Sequence, residues 1–128
     1  MQIKKYFVAL FLAFCVVSIA HAEDGFKVCL TNNPFSPNGA GENYTVFVYN
    51  LPNNGTVTIR VYDTAGNLIR TLIENEYQSG GHHEIAWRGG DDFGHCLPSG
   101  IYIYRVFVNF ADGTNKTIVG LVGVVRRR

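Results

Sequence analysis

The chain has 128 residues, a formal net charge of +1 at pH 7 and a hydrophobic fraction of 47%. Its length suits one small domain with a single core. The near-neutral balance lacks the basic excess of nucleic-acid binders, so we expect no nucleic-acid partner.

The first 22 residues have the features of a secretory signal peptide. Lys4 and Lys5 form a basic start, residues 6–19 are apolar, and Ala20-His21-Ala22 is a small-x-small cleavage site. The apolar run of about 14 residues is shorter than the roughly 20 that span a bilayer. We therefore predict cleavage, with an uncleaved anchor as the alternative. The mature protein is then a single exported domain at 23–128, in the periplasm, at the cell surface or outside the cell, and only the signal peptide contacts the membrane.

The mature chain would keep two cysteines, Cys29 and Cys96, because Cys15 leaves with the signal peptide. An even pair in an exported protein is compatible with a disulfide, since the oxidising compartment permits one. The sequence leaves open a second interpretation, in which both are buried thiols that act as small apolar groups.

Short β-branched and aromatic runs alternate with turns rich in Gly, Pro and Asn, and no window has the 3.6-residue apolar period of a helix. Val57, Ile59 and Val61 are predicted to face the core, with Thr58, Arg60 and Tyr62 on the other face. Two hairpins are implied, one at the turn 63–67 and one at the polar, Gly-containing loop before His83. The strands predicted up to this point are 26–31, 44–51, 56–62, 68–74 and 83–87.

A long alternating strand follows at 101–110, and a hairpin loop at 111–114 leads to a last strand at 115–125. The uniformly apolar or aromatic set on the long strand is predicted to be its core face. About seven short strands predict an all-β fold, an antiparallel β-sandwich. The predicted core set is Tyr102, Tyr104, Val106, Val108 and Phe110.

The segment between the lone tryptophan and the long strand, "RGGDDFGHCLPSG", is interpreted as a structural corner. Trp87 would anchor the core, and Asp91 or Asp92 would accept hydrogen bonds from loop amides as in an Asx-turn. Gly89, Gly90 and Gly94 would supply positive φ angles, and Pro98-Ser99-Gly100 would re-enter the sheet. The predicted structural motif is Trp87, Gly89, Asp91, Gly94, Pro98, Gly100 and Tyr102.

Two chemical interpretations of the same segment are weaker. Asp91, Asp92 and His95, with His82 or His83, could be imagined around a metal, but their spacing matches no zinc or EF-hand pattern. Ser99, His95 and Asp91 could be a hydrolytic set, but no nucleophile-elbow motif surrounds the serine. We therefore expect no enzyme activity, no cofactor, no metal and no small-molecule substrate. Tyr62, Phe35 and Phe93 are candidates for an exposed aromatic patch.

Three stretches together resemble the FlgD-type immunoglobulin-like domain: "NPFSPNG" at 33–39, "YNLPNNGTVTIRVYDTAGNLIRTL" at 49–72 and "HHEIAWRGGDDFGHCLPSGIYIYRV" at 82–106. The most specific piece is W-x-G-x-D-x-x-G, filled by Trp87, Gly89, Asp91 and Gly94. This module is similar to the C-terminal sorting domains of type IX secretion. The resemblance implies an Ig-like sandwich. Family members often carry an aspartate that could bind calcium where this chain has Ala40, which weakens a calcium site here.

The expected function is that of an exported, non-enzymatic Ig-like interaction or structural module of the bacterial cell envelope. Its expected partners are proteins of the envelope or of the secretion machinery, and the resemblance implies a sorting or anchoring role in type IX-like secretion. Two alternatives stay open at this point: a small carbohydrate- or calcium-binding sandwich, and a module of flagellar hook assembly.

Overall fold

A computed structural model describes residues 26–39, 41 and 43–127. The predicted signal peptide at 1–22 and Ala40 lie outside the described residues. Within the described part the chain forms strands, and no helix there is long and apolar enough to cross a membrane. The strands are β1 (Val28–Leu30), β2 (Thr45–Leu51), β3 (Gly55–Tyr62), β4 (Leu68–Gln78), β5 (Gly81–Trp87), β6 (Gly100–Phe110) and β7 (Asn115–Val124).

These strands form two antiparallel sheets, one with the order β1-β2-β5 and one with the order β4-β3-β6-β7. The predicted all-β sandwich of seven strands is confirmed. The hairpin at the 63–67 turn joins β3 to β4. The second implied hairpin is wrong, because β5 pairs along its whole length with β2 in the other sheet. Gly81, with φ of 119°, lies where the chain leaves the β4 sheet.

Alternation along the central strands places the core between the sheets. Val57, Ile59 and Val61 of β3 are all 0% exposed, and the predicted core face of β6 is buried from Tyr102 to Phe110. Phe47 of β2 meets the edge of the Tyr104 ring of β6 with centroids 5.2 Å apart. Aromatic edge-to-face contacts of this kind join the two sheets.

Thr58 departs from the predicted alternation, since its side chain is buried although it lies on the outer face of β3. The reason is an irregularity in β4, where Asn75 adopts a positive φ of 47° and the register shifts between Val57 and Ile59. The Asn75 amide donates to Thr58 Oγ1 at 3.0 Å. A β-bulge of this kind covers a side chain that a regular ladder would leave exposed.

The segment before β2 also packs on the core. Phe35 forms a parallel bridge with Val124: its amide donates to the Gly123 carbonyl at 3.1 Å, and its carbonyl accepts from the Val125 amide at 2.9 Å. The ring is only 4% exposed, so the prediction of Phe35 as part of an exposed aromatic patch is wrong. Because the Phe35 backbone pairs beside Val124, its side chain packs in the core. The same pairing covers the C-terminal end of the β7 edge.

Replacing Gly120 with alanine is expected to destabilise the fold. Gly120 pairs with Tyr104 across β6 and β7, and a Cβ at Gly120 would overlap the Tyr104 ring. Overpacking of this kind costs about 1–3 kcal/mol, which urea unfolding would measure.

Gly80→Ala is the matched control, because its Cβ would meet ordinary contacts from 3.4 Å outward. Tyr104→Leu should relieve the clash, so that the double variant G120A/Y104L loses less stability than the two single losses added together. If the loss of unfolding free energy in the double variant equals the sum of the two single losses, the steric explanation is contradicted.

Candidate functional site

Trp87 closes β5 and holds the corner that follows it. The indole is 2% exposed and meets the edges of Phe35 and Tyr102 with centroids 5.6 and 6.3 Å apart. Its Nε1 donates to the Gly90 carbonyl at 3.0 Å. One ring therefore joins the end of β5, the segment before β2 and the start of β6, and its polar atom sets the path of the next loop.

Asp91 organises the inside of this loop. Its Oδ1 accepts hydrogen bonds from the amides of Phe93 and His95 at 2.9 and 2.8 Å, and its Oδ2 lies 3.1 Å from His95 Nδ1. The Asp91 amide donates to the His95 carbonyl at 3.0 Å. This is an Asx-turn, in which the carboxylate satisfies loop amides that would otherwise lack partners.

Two glycines of the motif have different requirements. Gly89 combines a φ of 84° with a close approach: a Cβ there would lie 2.8 Å from Pro37 Cγ. Gly94 has a φ of 87° and open space around it. The expected positive φ at Gly90 is wrong, because Gly90 instead forms an extended bridge with Cys96.

Asp92 ties the loop to β4, a contact for which the sequence shows no local signal. Its Oδ1 accepts from the Thr71 amide at 3.1 Å, and its own amide donates to the Ile69 carbonyl at 3.1 Å. The loop thus lies across the edge of the four-stranded sheet, although it starts from the three-stranded one.

The return into β6 is fixed by Pro98, Ser99 and Tyr102. The Tyr102 hydroxyl donates to the Pro98 carbonyl at 2.7 Å, and Ser99 Oγ accepts from the Arg126 amide at 2.7 Å. The structure brings Asp91 and His95 together but directs Ser99 to the Arg126 backbone. The imagined hydrolytic set is therefore not assembled in this geometry.

The side chains considered for a metal are also separated. Asp92 faces the β4 backbone, His82 contacts Glu84 at 2.8 Å, and His83 contacts the Ser79 carbonyl at 2.6 Å. In the described ranges, no three His, Cys, Asp or Glu side chains are grouped so that they could hold a metal ion.

The possible bond between Cys29 and Cys96, which the sequence left open, is not formed in this structure, because Cys96 is an exposed free thiol. Cys29 lies in the middle of β1, opposite Val48 of β2, on the face away from the buried Val28 and Leu30. Cys96 lies in the loop after β5. Exposure of Cys96 also rules out the alternative in which both cysteines are buried.

Three arginines line an open groove of about 610 Å³ beside the loop. They come from distant parts of the chain: Arg70 from β4, Arg88 from the residue after β5, and Arg126 from the residues after β7. Of the residues that the structure describes, Asp91 is the one carboxylate that lines the same groove. The other lining residues are Pro37, Asn38, Ala86, Trp87, Gly89, Gly90, Gly94, His95 and Cys96.

A second surface lies on the outer face of β6 and β7. Val119 and Leu121 are 61% and 60% exposed, and Ile101 on the neighbouring strand is also exposed. Leu121 pairs with Ile103, and Val119 with Arg105. Because β7 is the last strand of its sheet, this apolar face continues to an open edge.

Three turn aspartates have a lowered pKa. Partial desolvation raises the pKa of Asp91, but the amides of His95 and Phe93 and the His95 ring outweigh it and hold that pKa below its usual value. The Asn67 side chain and amide lower the pKa of Asp63, and the Thr114 hydroxyl and amide lower that of Asp112. In each case hydrogen bonds favour the charged form.

The chain is similar to a known family of domains and to several solved structures. Residues 33–112 match the family model described as the FlgD Ig-like domain. No curated protein matches the chain.

Among solved structures, FlgD of P. aeruginosa is 25% identical with a TM-score of 0.50 over 62% of this chain and 60% of its own. Dimeric latent PorU of Porphyromonas gingivalis is 24% identical with a TM-score of 0.59, over 78% of this chain and 9% of its own. PorZ, a surface component of the type IX secretion system of P. gingivalis, is 20% identical with a TM-score of 0.45, over 77% of this chain and 11% of its own. This chain therefore spans less than two thirds of the length of each of these proteins.

Asp91→Ala is expected to lower the melting temperature by roughly 4 °C or more, because two loop amides lose their acceptor. Thermal unfolding followed by circular dichroism would measure the change. Glu84→Ala removes an exposed carboxylate whose contact within the described residues is His82, and it should shift the melting temperature by less than about 2 °C. Equal shifts in the two variants would contradict the role of Asp91.

Stability is expected to fall as the pH is lowered below about 4. A carboxyl group whose pKa is lower in the folded than in the unfolded state stabilises the fold above the unfolded pKa. That stabilisation is lost as the pH falls through the folded pKa. The triple variant D63N/D91N/D112N should therefore lose less of its urea midpoint between pH 6 and pH 2 than the parent protein. Parallel losses in the two proteins would contradict this assignment.

Proposed function

Because the chain belongs to the FlgD Ig-like domain family, we propose that it is a non-enzymatic interaction module of the bacterial cell envelope, exported and bound to partner proteins. The observation that carries this proposal is the open edge of β7. Three features support a strand-to-strand contact between that edge and a partner. They are the outward backbone groups of β7, the absence of the devices that prevent pairing at the other edges, and the positive charge of the neighbouring side chains.

The backbone groups of β7 alternate in direction along a regular ladder. The pairing with β6 keeps one register from Gly100 and Val124 to Asn109 and Asn115. At Leu121 and Gly123 the outward groups bond to Asn33, and the Gly123 carbonyl also accepts from Phe35. By the same alternation, Thr117 and Val119 direct their N–H and C=O groups outward, where no strand of the described chain faces them.

The other three sheet edges are protected in ways that oppose pairing. β1 has only three residues, and β4 is interrupted by register shifts around Asn75 and carries Glu74 and Glu76. β5 presents His82 and Glu84 at its exposed positions. Natural sheets use short strands, bulges and charges to prevent unwanted pairing. By contrast, β7 has no charge and no proline after Lys116.

The charge of this surface selects the partner strand. Neither β6 nor β7 contains a carboxylate, whereas Arg105 lies opposite Val119 and Lys116 lies near the start of β7. A second copy of this chain would bring like charges to the contact. The surface instead fits an extended strand of a partner protein that alternates apolar and acidic side chains, added to the sheet by main-chain hydrogen bonds.

The finer role we propose is that of a sorting or anchoring domain in type IX-like secretion. The signal-peptide pattern at 1–22 supports export, and the resemblance of the sequence motifs to type IX sorting domains supports recognition by an export system. On this proposal the exported domain presents β7 to the secretion machinery and ends at the cell surface or outside the cell.

Thr117→Pro is expected to block this recognition without unfolding the domain. Proline removes an outward N–H, and an edge strand tolerates that loss because no ladder bond is broken. In a bacterium with type IX secretion, the tagged parent protein should reach the surface or medium, whereas T117P should accumulate in the periplasm. Cell fractionation and immunoblotting would measure this distribution.

Thr64→Pro is the matched control, since it introduces proline into the exposed Asp63–Gly66 turn at a position that favours it. The melting temperatures of both variants would show that they are folded. Surface delivery of folded T117P would overturn the role of the β7 edge. Retention of the parent protein in the periplasm would overturn the sorting role itself.

A further inference from the structure

The arginine groove described above is a site that the proposed function does not use, and we propose that it binds a phosphate group. It lies at the Trp87 corner, away from the open part of the β7 edge. The argument rests on the charge balance of the groove, on the donors that its arginines retain, and on the shape of the ligand that can satisfy them.

The positive charges of the groove are poorly neutralised. Arg88 contacts no carboxylate of the described residues: it lies 3.4 Å from Asn43 Oδ1 and 4.9 Å from the centre of the Tyr44 ring. Arg70 has one long ion pair, at 3.7 Å from Asp92, which does not line the groove. Among the described residues, three guanidinium groups therefore line the groove with one carboxylate, and Asp92 offsets part of the charge of Arg70, so the groove keeps a net positive charge.

That one carboxylate is already engaged. Asp91 accepts from the amides of Phe93 and His95 and faces the His95 ring, so its oxygens serve the loop. It keeps its negative charge, but within the described residues its ion pair is with His95 and not with an arginine of the groove. The field in the groove therefore favours an anion from outside the chain.

The arginines also retain donors. Arg70 places its Nη1 3.5 Å from the Asp91 carbonyl and 3.7 Å from Asp92 Oδ1, while its Nε is buried and out of reach of a ligand. Arg126 uses its Nε on the Leu97 carbonyl at 2.5 Å, and Arg88 uses one terminal nitrogen on Asn43. The remaining terminal N–H groups of these guanidinium groups can donate to an acceptor that has several oxygen atoms.

A phosphate monoester or inorganic phosphate matches this arrangement better than a carboxylate does. Its charge of about −1.5 to −2 is larger than that of a carboxylate, and its oxygens can accept from donors that approach from different directions. A carboxylate offers one charge and two oxygens in a plane. The ligand class that the groove fits is therefore a phosphate group, either on a soluble molecule or on a lipid headgroup.

Titration of the ¹⁵N-labelled full chain with inorganic phosphate tests the proposal, at constant ionic strength against chloride. Saturable shifts are expected for the amides of Gly90, Gly94 and His95. Acetate at the same concentrations should bind at least about tenfold more weakly. The variant R88Q/R126Q should weaken phosphate binding by about tenfold or more, since it removes two charged donors.

Arg105→Gln is the matched control, because it removes one positive charge from the outer face of β6 and should leave phosphate affinity unchanged. Arg88→Gln alone provides a milder variant if the double variant fails to fold, and it should weaken binding by at least about threefold. Non-saturating shifts, equal affinity for acetate, or equal weakening by R105Q would each overturn the proposal.

The source of the phosphate is distinguished by sedimentation with vesicles. Binding to vesicles that contain phosphatidic acid, but not to vesicles of phosphatidylcholine alone, would assign a lipid headgroup. Saturable binding of inorganic phosphate without vesicle binding would assign a soluble ligand. Both results support a phosphate site and are independent of whether T117P alters secretion.

Discussion

Burial of the Trp87 ring is the constraint on which the corner of this sandwich depends. An indole at the end of β5 fills the core only if its N–H finds an acceptor, and the Gly90 carbonyl is the acceptor that the chain supplies. That bond turns the loop back toward its own strand. Gly89 must then pass against Pro37 and Phe35 with a positive φ, which only glycine accommodates there. The W-x-G spacing therefore follows from packing.

The same physical solution recurs at three turns of the sandwich. Asp63, Asp91 and Asp112 each accept backbone amides two residues further along the chain, and Asp63 and Asp91 also accept those four residues on. A carboxylate in such a turn replaces the strand partners that the amides have lost. This explains why Asp91, which the sequence offered as a catalytic or metal-binding candidate, serves the backbone in the fold.

Local periodicity was sufficient to predict the strands and their core faces, because alternation is a property of neighbouring residues. Val57, Ile59 and Val61 are the clearest case. Local periodicity does not predict contacts between segments that are distant in the sequence. Phe35 is buried by pairing with Val124, β5 pairs with β2 rather than with β4, and Cys29 and Cys96 lie on different structural elements. The arginine groove has no local signal either, since its three cations come from three separate segments.

The surface to which we assign partner binding is the one where the fold leaves backbone groups without a partner strand. Most polar groups of the Trp87 corner bond to one another, whereas Thr117 and Val119 of β7 direct backbone groups to no neighbour in the described chain. Along the same strand, the segment at Asn33 and Phe35 covers the C-terminal end of the β7 edge and leaves Thr117 and Val119 uncovered. A chain that protects β4 and β5 with charges and a bulge, yet leaves this stretch apolar and open, retains an edge on which a partner strand can add.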